Sequence, residues 1–101
     1  MQTPDDVINA LKKLDEQYTL AFANITNGYM SKSIRQMTAG HNELKRCKAE
    51  VDKVKKDSKD IYLKASEEDK KRITEQAQIV DNKVNEFGTG IKDILKSSFG
   101  L

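Results

Sequence analysis

The sequence predicts an all-α fold, an elongated antiparallel three-helix bundle or helical hairpin with coiled-coil-like packing. Three observations carry this. Apolar residues recur at alternating steps of three and four through most of the chain. No window alternates in the two-residue rhythm of a strand, and Pro occurs once, at position 4. Hydrophobic residues make up 37% and charged residues 34%, with six aromatics and no Trp, which suits a thin core along helix seams better than a large compact one.

The first helix is expected over about 4–24. Thr3 suits the N-cap, Pro4 the first helical position, and Asp5 and Asp6 the positive end of the helix dipole. Its seam reads Val7, Leu11, Leu14, Tyr18, Ala21, Ile25, widened by Ile8 and Phe22. Asn24-Ile25-Thr26-Asn27-Gly28 reads as a stop, because Asn-Gly tolerates a helix end or turn. Continuing the seam would select Gly28 and Lys32, so the phase also predicts a break there.

The second helix is expected over 29–65, with the seam Met30, Ile34, Met37, His41, Leu44, Cys47, Val51, Val54, Ser58, Ile61, Ala65. Two successive steps of three around Leu44, beside Gly40, predict a bend or break near that glycine. Ser66-Glu67-Glu68-Asp69 has the form of a helix start, and the third helix is expected over 67–96. Its seam is Ile73, Ala77, Val80, Val84, Phe87, Ile91, Ile94, weakened late by Gly88 and Gly90, with Ser97–Leu101 frayed. Leu11, Leu14, Tyr18, Leu44, Val51, Val54, Ile61, Ile73, Val80, Val84 and Phe87 form the expected core. One domain of 101 residues follows.

Chemistry is sparse. His41 and Cys47 are single and six residues apart, so they do not share a helix face, and neither a metal site nor a Cys–His nucleophile is expected. The carboxylates fit helix starts or solvated faces. Gly88-Thr89-Gly90 follows a helix rather than a strand, so it is not a phosphate loop. We expect no enzymatic activity, no cofactor and no metal.

The formal net charge is +2, but Ser31–Lys64 holds ten Lys/Arg against five Asp/Glu. Lys45, Arg46, Lys48, Lys53, Lys55, Lys56 and Lys59 form a basic surface on helix 44–64 that could meet nucleic acid or another acidic surface. Interleaved acids and the lack of an aromatic platform favour a solvated face instead. The stretch Phe87, Ile91, Ile94, Leu95, Phe99, Leu101 is amphipathic, but seam packing accounts for it before a membrane interface does. No apolar run approaches a bilayer span, and the N-terminus does not read as a secretory signal. A cytoplasmic location is expected, with signal-independent export compatible.

In size and helicity the chain resembles the small helical-hairpin proteins of Gram-positive type VII secretion. It has no Trp for their Trp-x-Gly turn, Asn27-Gly28 is not that motif, and no residue role carries over.

The expected function is therefore that of a non-enzymatic protein–protein interaction module. Its partner would be another protein or a second copy of itself, with nucleic acid and membrane disfavoured. A first helix of 4–24 is too short to cover both longer neighbours, which would expose the second half of helix two. Val54, Ile61, Tyr62 and Leu63, with Ile73 and Ala77 opposite, are the expected partner contacts.

Overall fold

A computed structural model describes the backbone of residues 2–99 and the side chains of residues 2–87. Among the described residues there are four helices and no strand: α1 (Pro4–Met30), α2 (Ile34–Asp57), α3 (Lys59–Lys64) and α4 (Glu67–Phe99). They form a rod of 49 × 19 × 16 Å. α1 is the shared element, packing along α2 and, less extensively, along α4, while the backbones of α2 and α4 approach each other only slightly.

The start of α1 follows local chemistry. Thr3 Oγ1 accepts from the Asp6 amide at 3.2 Å, and the Asp6 carboxylate accepts from the amides of Thr3 (3.1 Å) and Gln2 (3.0 Å). This reciprocal box satisfies amides that have no partner within the helix. Those hydrogen bonds hold the Asp6 carboxyl below its ordinary pKa.

The end of α1 corrects the expected boundary. The helix runs through Asn24–Gly28 to Met30. It closes in a Schellman motif, with the Ser33 amide donating to Gly28 O (2.7 Å) and the Lys32 amide to Tyr29 O (3.1 Å). The left-handed residue is Lys32, at φ 58°. Ser33 then caps α2, accepting from the Gln36 amide at 3.3 Å.

Gly28 is not a turn residue but a buried member of the α1 seam. A Cβ built on it would stand 2.8 Å from Met37 N, so the glycine permits close approach of α2. Gly40 does the same from the other side, where a Cβ would meet Ile25 Cγ1 at 2.5 Å and Ala21 O at 3.0 Å. α2 therefore passes Gly40 unbroken. The interruption falls at Ser58, whose hydroxyl donates to Lys55 O at 3.2 Å, a back-bond that bends helices.

The buried cluster joins Val7, Ile8, Leu11, Leu14 and Tyr18 to Cys47, Val51, Ile73 and Val80. Leu44, Val54, Ile61, Ala77, Val84 and Phe87 are half-buried against it. Met30 and Ile34, expected in the second seam, are instead exposed beside the turn. α4 is tied to α1 by the Asp15–Lys83 and Asp5–Arg72 ion pairs and by stacking of Phe22 on Phe87 at 4.3 Å. Its Ser66 cap accepts from Asp69 N at 3.2 Å. The helix continues to Phe99, past the expected end at 96; the side chains of Ile91, Ile94, Leu95, Phe99 and Leu101 lie outside the described residues.

Candidate functional site

α1 is not the short helix that the sequence predicts. At 27 residues α1 spans roughly 40 Å, and Gln2 and Pro4 stand beside Asp60, Ile61, Lys64 and Ala65 at the far end. α1 therefore reaches the second half of the seam, where Val51 and Ser58 are buried and Val54, Ile61 and Ala65 half-buried. The open surface lies elsewhere, on the flank where α2 and α3 face α4.

There a groove of about 610 Å³ runs between the two walls. Lys55, Ser58, Lys59 and Tyr62 form one wall, at the three- and four-residue steps that align side chains on one face of a bent helix. Thr74, Gln78, Asp81 and Asn82 form the other, with Ile73 and Ala77 at the apolar base. Lys55 crosses the groove, its Nζ donating to Asp81 Oδ1 at 2.7 Å and Oδ2 at 2.9 Å. Lys70 Nζ stands 5.8 Å from the centre of the Tyr62 ring.

Of the six expected partner contacts, the groove brings together Tyr62, Ile73 and Ala77. Val54 and Ile61 turn into the core, and Leu63, 60% exposed, lies outside the groove lining. Ser58, Thr74, Gln78, Asp81 and Asn82 were not anticipated. Thr74, Gln78 and Asn82 repeat every four residues beside the Ile73–Ala77 seam, a polar stripe that could have marked the wall.

Of the seven basic residues, only Lys55 and Lys59 reach the groove. Arg46 pairs with Glu43, which lowers the Glu43 carboxyl pKa through the guanidinium hydrogen bond. Lys45, Lys48, Lys53 and Lys56 lie exposed along α2.

Two buried groups stand apart from this surface. Burial raises the Cys47 thiol above its ordinary pKa. The Tyr18 hydroxyl is buried with no hydrogen-bond partner, and burial first, then Cys47, Asp52 and Asp81, push its pKa up to about 12. Among the described residues no cluster of three or more His, Cys, Asp or Glu could hold a metal ion, and no helix is long and apolar enough to cross a membrane. Compared with protein-family models, curated proteins and solved structures, the chain matches none of them.

Proposed function

We propose that this protein is a non-enzymatic helical interaction module that binds another protein in the groove between α2–α3 and α4. The observation that carries the reading is the groove itself. Its base is the half-buried Ala77 beside the buried Ile73, with Tyr62 at the lip, and it lies between α2 and α4, which share α1 while their backbones stay apart. An aromatic beside an apolar cleft, ringed by polar groups, has the makeup of a small interface centre with a hydrated rim. A helix or extended segment presenting an apolar stripe would fill it, as a fourth helix completes a bundle.

The electrostatic alternative, nucleic acid or an acidic surface on helix 44–64, draws less support. Lys55 is engaged by Asp81 and Arg46 by Glu43, so two of its seven cations are already paired.

The test uses the full chain as bait, with Tyr62→Asp and Thr74→Arg on the groove walls. Both positions are exposed, so both variants are expected to keep the helical content and melting temperature of the parent. Bound partner or dimer mass should fall at least about tenfold in each, by retention assay and light scattering. Lys12→Glu, exposed on α1 and outside the groove lining, should leave binding intact. Retention of every partner and an unchanged mass in both groove variants would overturn the reading.

A further inference from the structure

The turn between α1 and α2 carries a second surface, independent of the groove. Met30 is 74% exposed and Ile34 76%, the two most exposed large hydrophobic side chains among the described residues, with Tyr29 beside them at 37%. Neither Met30 nor Ile34 helps to hold the turn, which is closed by backbone hydrogen bonds from Lys32 and Ser33.

Charge in the turn's own stretch of chain is one-sided. The 26 residues between Glu16 and Glu43 contain no Asp or Glu, in a chain that elsewhere interleaves both signs. Their lysine and arginine are Lys32 and Arg35, both exposed and both within five residues of Met30 and Ile34. Lys32 also sits at the one non-glycine positive φ among the described residues. A Schellman turn favours glycine there, so the lysine is held in a strained backbone while its charge faces outward.

We infer that this turn docks on an anionic bilayer surface, with Met30, Ile34 and Tyr29 entering the interface and Lys32 and Arg35 meeting lipid phosphates and carboxylates. The shape and the charge both select this occupant. A convex turn needs no preformed cup when the opposing surface is fluid. Modest apolar insertion and a few cations are each too weak alone and combine additively on an anionic leaflet. A second copy meeting the same surface would set Lys32 and Arg35 against themselves, and nucleic acid would leave Met30 and Ile34 without a role. The rod then stands or leans on the surface by one end, with the groove residues Lys59 and Tyr62 toward the far end of α2 and α3.

Co-sedimentation of the full chain with phosphatidylcholine vesicles, with and without phosphatidylserine, tests this. Binding should be roughly tenfold or more stronger with the anionic lipid, since each cation contributes about a fivefold preference. Met30→Ser with Ile34→Ser should abolish binding, while Leu63→Ser, an exposed apolar position near the far end, should leave it unchanged. Lys32→Gly separates recognition from folding, because it should raise the melting temperature and yet weaken anionic binding about fivefold. Failure of the parent chain to bind the anionic vesicles overturns the inference, including where an acidic protein occupies the turn instead. So does equal binding by the Met30/Ile34 double variant. Neither result bears on the groove, whose variants are read out with soluble partners.

Discussion

Tyr18 shows how one atom can work against the fold that contains it. The ring fills the centre of the core, 2% exposed, yet its hydroxyl reaches no acceptor. A buried hydroxyl without a partner costs about 1–3 kcal/mol relative to one solvated in the unfolded chain. Tyr18→Phe keeps the ring and removes that cost, so at neutral pH the melting temperature should hold or rise, by up to about 1 kcal/mol in stability. A loss larger than that would reveal a hydrogen bond. The same residue sets an alkaline limit. The phenol titrates at an ordinary 10 when unfolded and at about 12 when folded, so between these values the folded state retains a proton that the unfolded state has lost. This contribution is fully present below pH 10 and disappears as the pH climbs to about 12. Denaturation followed across that window should show a falling stability in the parent and a shallower fall in Tyr18→Phe.

At the scale of the helices, the α1–α2 pair depends on two positions with no side chain. Gly40→Ala gains about 1 kcal/mol in helix propensity. Against this, the new methyl meets Ile25 and the α1 backbone, and overpacking of that kind costs about 1–3 kcal/mol. Calorimetry should show a net loss of about 1 kcal/mol, and an unchanged or raised melting temperature would mean that the helices are not held at close approach. These glycines also mark where hydrophobic periodicity and the structure part. The α1 seam does continue to Gly28, and from Met37 onward the α2 seam alternates without a slip once Gly40 replaces His41, the exposed Ile34 standing outside it. Hydrophobic periodicity records side chains, and a crossing that works by lacking them reads as a gap. Thr3, Pro4 and Ser66 were legible because a cap is a local matter of a few hydrogen bonds. Lys32 was not, because a lysine in a left-handed turn contradicts local preference and is imposed by the helices on either side. The groove was half legible: Tyr62, Ile73 and Ala77 follow from the seams, whereas the polar wall depends on how far α4 stands from α2.

Across the whole molecule, cohesion is uneven. α1 is locked to α2 by the glycine crossings and the Cys47–Val51 core, and to α4 by Val80, the Phe22–Phe87 stack and the Asp15–Lys83 pair. α3 has six residues and no buried one, and it hangs between the Ser58 bend and the Ser66 cap. Segments with few buried contacts open at lower free energy than the rest. Amide exchange should therefore be fastest, among the internal helices, over Lys59–Lys64, ahead of the middle of α1 and α2. Protection in α3 equal to that of α1 would show that the bend is as firmly packed as the core. Because Tyr62 lies in this loosely held helix, a ligand in the groove should slow exchange there first.

Cys47 turns the same architecture into a clock. Its sulfur is wholly enclosed, and burial holds the thiol in its unreactive protonated form. A thiol reagent can reach it only when the helices around it part, and the chain has no other cysteine to obscure the signal. The rate of alkylation in an unmodified sample thus counts openings of the α1–α2 pair, with no label introduced and no residue changed.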